Sequence, residues 1–104
     1  INDRYQFDKP TKKFVDELFK STIKNAESLD KKIESALENW TLERINIIDR
    51  LIMQMSICEM SLMQHYEISH KVTISSAIEN AKKFSSEDST AFVNGVLDSV
   101  YKKL

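Results

Sequence analysis

Apolar residues recur at helical spacing along nearly the whole chain. Phe14, Val15, Leu18, Phe19, Ile23 and Ala26 share one stripe, and Lys12, Lys13, Asp16, Lys20 and Lys24 fill the other face. This pattern predicts a helix over 10–26. Asp8 is positioned to cap it, and Pro10 is tolerated in its opening turn. Ser28 then opens a shorter helix carrying Leu29, Ile33, Ala36, Leu37 and Trp40. A connection of about two residues makes the two helices antiparallel neighbours.

Thr41 interrupts the pattern, and its hydroxyl is a candidate N-cap for the next helix. Ile45, Ile48, Leu51, Ile52, Met55, Ile57, Cys58 and Leu62 cover more than one helical face. A helix that is apolar most of the way round is expected at the buried centre of a bundle. A helix over 42–64 is predicted, with a kink or short turn near Arg44–Asn46, and a loop over 65–71. Thr73 caps a fourth helix with Ile74, Ala77, Ile78 and Ala81 on one stripe, ending near Phe84. Ser85-Ser86-Glu87-Asp88 matches the Ser-x-x-Asp form of a capping box. It opens a last helix with Phe92, Val93, Val96, Leu97, Val100 and Leu104. Gly95 lies inside that helix, where glycine costs about 1 kcal/mol against alanine. Close approach of a neighbouring backbone is the usual compensation, so a tight helix contact is expected at Gly95. The fold class is all-α, a compact helical bundle of about five helices in a single domain over 1–104.

Composition agrees. One glycine and one proline in 104 residues leave little turn chemistry, which favours long helices with short connections. No apolar run reaches the ~18–20 residues of a membrane span, and no signal-peptide pattern opens the chain. A lone cysteine, Cys58, excludes an internal disulfide and suits a reducing compartment. The first residue is Ile1, which points to a longer parent protein. The net charge of −1 supplies no basic excess for phosphate binding.

Catalytic chemistry is hard to find. His65 and His70 flank one loop without the i, i+4 spacing of a helical zinc pair, and no second cysteine is available as a ligand. Cys58 sits on the most apolar helix, where a thiol behaves as a small hydrophobe. A phosphate-cradling glycine loop is impossible with one glycine. Met53, Met55, Met60 and Met63 read as core filler, with a Met-rich binding surface as the sharper alternative. Glu43, Asp49, Glu59, Glu87 and Asp88 form no acid/base pair by spacing. Lysine pairs at 12–13, 31–32, 82–83 and 102–103 read as solvated faces, the alternative being a phosphate-contacting stripe gathered by folding. Trp40 reads as a core anchor rather than a base-stacking platform. No catalytic residue, metal site or cofactor is expected.

Some residues carry a more specific message. Trp40-x-Leu42-x-Arg44-Ile45, Ile48-Asp49-Arg50 through Cys58-Glu59, Lys71-Val72-x-Ile74, Ala81-Lys82-Lys83-Phe84 and Glu87-Asp88-Ser89 lead to Phe92-Val93-Asn94-Gly95-Val96-Leu97-Asp98. In this order and spacing they resemble the C-terminal half of the NusB family of transcription antitermination factors. The final block matches nearly letter for letter, whereas residues 13–37 resemble the family only in pattern. The resemblance implies an all-helical, non-enzymatic cytoplasmic protein whose partner is the small-subunit ribosomal protein also called NusE. The heterodimer binds boxA RNA and supports antitermination in rRNA operons. By position, Asp88 and Phe92 match family residues at or near the RNA and partner surface. Asp49 matches an acidic position at the start of the central helix in the same region.

Departures from the family pattern bear on RNA binding. The arginine-rich first helix has no counterpart here, and roughly the first two family helices are absent. Gln54 stands where many members carry Arg, Ser75-Ser76 replaces Asn-Glu, and the loop around His65–Ser69 is about two residues longer than common. Weak boxA binding by the chain alone is therefore expected. Two rival functions remain at this point. One is the NusB-like RNA-binding domain of an rRNA cytosine methyltransferase, although such domains read Phe-Val-Asn-Ala-Val-Leu-Arg in the final block. The other is a purely structural helical module.

Overall fold

The computed structural model describes residues 9–38 and 41–104. Among them are five α-helices and two single-turn 3-10 helices, with no strand. The α-helices are α1 (Lys9–Lys24), α2 (Ala26–Ser35), α3 (Ile47–Leu62), α4 (His70–Phe84) and α5 (Glu87–Lys102). The 3-10 turns, Leu42–Arg44 and Gln64–Tyr66, precede and follow α3. The expected cap at Asp8 and anchor at Trp40 lie outside the described residues.

Helix α3 touches α1, α2, α4 and α5, and α4 pairs extensively with α5. The core runs through these contacts. Leu29 and Ile33 of α2, Met53, Ile57 and Cys58 of α3, Ala81 of α4, and Val93 and Leu97 of α5 are fully buried. Met53, Met60 and Met63 are buried as expected of filler, but Met55 is 39% exposed.

Two expected core faces are only partly covered. On α1, the row Phe14, Leu18, Thr22 packs inward, while Val15, Phe19 and Ile23 stand exposed. Those three lie about 100° round the helix from the packed row, and the described neighbours of α1 reach only one side of it. On α3, Ile47, Leu51, Met55 and Leu62 form an exposed stripe. The central helix is therefore not buried all the way round.

The helix ends differ in detail from the sequence expectation. Asn46, not Thr41, caps α3: its side chain accepts from the Ile48 amide at 2.7 Å. Thr41 instead precedes the first 3-10 turn, and extended backbone at Ile45 produces the predicted break. Ser69, not Thr73, caps α4, accepting from the Lys71 amide at 3.2 Å. Thr73 is buried within the first turns of α4. Helix α2 starts at Ala26, so Ser28 lies inside it. Ser86, rather than Ser85, caps α5.

Gly95 corrects the expected tight contact. It lies on the exposed side of α5 with Ala91, Asn94 and Asp98, and an added Cβ would meet nothing within 4 Å. The packing row of α5 is Val93, Val96, Leu97 and Val100, so no backbone approaches the glycine.

A polar clamp joins α2 to α3. Asp30 accepts from Arg50 Nη2 at 2.7 Å, Arg50 Nε at 3.3 Å and Gln54 Nε2 at 2.6 Å. Burial pushes the Asp30 carboxyl up, but hydrogen bonds from Arg50 and Gln54 and the Arg50 charge outweigh it and hold it below the ordinary value. Gln54 thus supplies a second side-chain donor to the carboxylate that Arg50 holds.

These contacts lead to two expected outcomes. Gly95→Ala should raise stability by about 0.5–1 kcal/mol in thermal or urea melts, and a loss would contradict the open space around it. The Asp30 contribution is fully present above the ordinary unfolded value near pH ~4 and is lost as pH falls through the depressed folded value. Urea melts between about pH 5 and pH 2 should therefore lose stability more steeply for the native chain than for Asp30→Asn, and equal slopes would contradict the clamp.

Candidate functional site

The starts of α3 and α5 lie side by side, and serine chemistry holds them together. Asp49 falls three residues after the Asn46 cap, in the first turn of α3. The positive end of the helix dipole favours a carboxylate there. Its side chain is buried, at 5% exposure. Oδ2 accepts from the Ser89 hydroxyl at 2.8 Å. Ser89 lies in the first turn of α5, and its amide donates to the Ser86 hydroxyl at 3.2 Å. The Ser85 and Ser86 hydroxyls each lie 3.0 Å from that of Ser89. One α5 residue thus completes its own helix cap and grips α3.

The other Asp49 oxygen, Oδ1, is buried and has no hydrogen-bond partner among the described residues. A buried carboxylate oxygen without a donor carries a desolvation penalty of about 1–3 kcal/mol. Asp49 borders a depression of about 340 Å³ lined by Arg44, Ile45, Asn46, Asp49, Asp88, Ser89 and Phe92. All three sequence-derived site residues line this one depression. Asp49 is buried and fixed, Asp88 is exposed, and Phe92 is half-buried with part of its ring against the core. Arg44 and Ser89 join them in the lining without a site role expected from the sequence. Ser89 carried a legible signal, since it follows the Ser-Ser-Glu-Asp cap. Arg44 carried none beyond its place in the family pattern.

Other candidate chemistry disperses. His65 Nε2 lies 2.7 Å from Glu17 Oε2, and the Tyr66 hydroxyl donates to Glu17 Oε1 at 2.9 Å. With Phe14 edge-on to Tyr66 at 4.8 Å, these contacts tie the second 3-10 turn to α1. His70 stacks on Tyr101 at 3.7 Å. Burial pushes the Cys58 thiol up. Among the described residues no group of three or more His, Cys, Asp and Glu could hold a metal ion. No described helix is long and apolar enough to cross a membrane.

The lysine pairs do not gather into one stripe. Lys31 pairs with Glu27 and Lys102 with Asp98, while Lys103 donates to the Ser35 carbonyl. Lys12 and Lys13 border a crease along α1 with Lys9 and Lys20. Among the described residues, that crease is lined by α1 alone.

A profile of the NusB family matches residues 2–102. The chain belongs to the NusB family. It is 44% identical over 90 residues to the transcription antitermination protein NusB of Bacillus mycoides, covering 86% of this chain and 68% of that one. The NusB of Bacillus cereus is 43% identical with the same coverage. Among solved structures, T. maritima NusB superposes with a TM-score of 0.87 at 32% identity, over 95% of this chain and 68% of that chain. A chain in a crystal structure described as a plectonemic RNA supercoil matches with a TM-score of 0.86 at 22% identity, over 98% of this chain and 72% of that chain, which is a likeness of fold. The all-helical NusB fold and its place among antitermination factors rest on these matches, and the curated NusB relatives are antitermination proteins.

The unequal partnering of the two Asp49 oxygens sets the expected mutant order. Ser89→Ala removes the one donor and leaves a buried carboxylate unpaired, which should cost about 1–3 kcal/mol. Asp49→Ala removes the hydrogen bond together with the unpaired oxygen, so it should cost less than Ser89→Ala. Urea denaturation of both variants checks the order, and the reverse order would contradict the geometry.

Proposed function

We propose that this NusB family member is a non-enzymatic antitermination module, acting in the cytoplasm with no cofactor. Its Asp49–Asp88–Phe92 depression receives unpaired bases of a boxA-like RNA beside a NusE-type small-subunit ribosomal protein. The observation that carries the reading is the convergence of the three residues on one depression. The exposed Asp88 carboxylate of that lining suits a base amino group such as cytosine N4–H₂ or adenine N6–H₂. The half-open Phe92 ring suits stacking, which is worth about 1–3 kcal/mol per base.

Charge explains why a protein partner belongs to the reading. Phosphate binding draws its affinity from lysine and arginine neutralising the backbone. This chain has 15 such residues against 16 acidic ones, and among the described residues the depression has Arg44 as its one cation beside two carboxylates. Carboxylates read base edges but repel phosphates. The NusE-type protein supplies the missing positive charge, and RNA binds tightly only to the pair.

Isothermal titration of the chain with a NusE-type protein, with boxA-like RNA, and with both tests this directly. The expected result is weak binary RNA binding and a tighter ternary complex. Phe92→Ala should lower stability by about 1–3 kcal/mol, because the ring is half in the core, and should weaken the ternary complex at least ~10-fold. Asp88→Ala should weaken it with little change in stability. Absence of both binary and ternary binding would overturn the reading.

A further inference from the structure

Phe84 ends α4 and has the greatest exposure among the large apolar side chains described, 64%. With most of its ring in solvent, it contributes little to the core. Over that ring, 5.8 Å from the centroid, stands the Lys83 ammonium. Lys82 is in the same last turn. Lysines there complement the negative end of the helix dipole, but that role needs no exposed phenyl group. Phe84 also immediately precedes Ser85, whose hydroxyl lies 3.0 Å from that of Ser89, the residue that grips Asp49. The exposed ring and the candidate depression are therefore joined through one residue of backbone and a short hydroxyl chain.

From this arrangement we infer that Phe84, with Lys83 and Lys82, is a second stacking platform for single-stranded RNA, continuing the strand that occupies the Asp49–Phe92 depression. The inference rests on the RNA reading of that depression. The distribution of charge orients the strand. Glu87 and Asp88 fill the first turn of α5 and keep phosphates away from that side, while offering acceptors to base amino groups. Lys82 and Lys83 lie on the opposite side of the Ser85–Ser86 turn and can neutralise phosphates, with Glu79 as the acidic neighbour in their patch. Bases thus face Phe92, the carboxylates and Phe84, and the backbone passes over the two lysines. An aromatic ring beside cations is a sequence-tolerant site for a base, because every base has a stacking face.

Fluorescence anisotropy with a 12-nucleotide boxA-like RNA, in the presence of a saturating NusE-type protein, tests this. Two shorter RNAs, one lacking about four nucleotides at the 5′ end and one at the 3′ end, complete the set. Phe84→Ala should weaken the 12-nucleotide RNA by roughly 5- to 100-fold and leave one of the two truncated RNAs unaffected. Phe84→Trp should bind as the native chain or tighter. Lys83→Ala should flatten the dependence of log affinity on log salt by about 0.7. Because the ring is exposed, the melting temperature of Phe84→Ala should stay within about 3 °C of native. Native-strength binding of the full RNA by Phe84→Ala, with Phe92→Ala impaired, would overturn this platform and leave the depression intact. Failure of the native chain to bind any of the RNAs would overturn both. Loss of ribosomal-protein binding by Phe84→Ala without RNA would assign the ring to a protein contact instead, and would also overturn the inference.

Discussion

A buried carboxylate at the head of a central helix needs donors, and here one of its oxygens has a donor and the other has none among the described residues. Asp49 is fixed by the Ser89 hydroxyl at 2.8 Å. Through that bond the start of α5 is held against the start of α3, and the floor and wall of the depression are set relative to each other. It adds to the apolar packing of α3 against α5 in fixing Phe92 and Asp88 relative to Arg44 and Asn46. Oδ1 is buried without a partner among the described residues, a local cost of this arrangement.

Electrostatics sets the character of the site. NusB family membership places the chain among transcription antitermination proteins, yet its net charge is −1. Under the proposed RNA reading, local chemistry answers the tension. Carboxylates and one aromatic ring face the depression, and lysines stand apart at the end of α4. Base edges and phosphates call for opposite charges, and the two kinds of group are separated in space. The proposed ribosomal-protein partner answers the remaining shortage of positive charge.

Helical periodicity made the order and number of α-helices legible, because apolar spacing reports which residues share a face. It was less informative about which faces are covered. Val15, Phe19 and Ile23 obey the same spacing as buried residues, but coverage depends on which neighbours pack there. Caps were misplaced by one to five residues at Thr41, Thr73 and Ser85. Several serines, threonines and asparagines crowd each helix start, and the choice among them depends on backbone turns that the sequence does not display. Gly95 invited a packing explanation that the open space around it removes. Asp49, Asp88 and Phe92 were legible through family resemblance alone, since 39 residues or more separate the first from the others. The partnering of Asp49 by Ser89 is a long-range contact with no spacing signature.

If the juncture of α3 and α5 is where other macromolecules bind, its amides must respond to them. Amide chemical-shift mapping of the isotope-labelled chain, titrated with a NusE-type protein and boxA-like RNA together, tests this most directly. The largest changes are predicted at Arg44–Asp49 and Asp88–Phe92. Changes confined to the lysine face of α1, or to the exposed Leu51–Met55 stripe of α3, with the α3–α5 juncture unmoved, would contradict it.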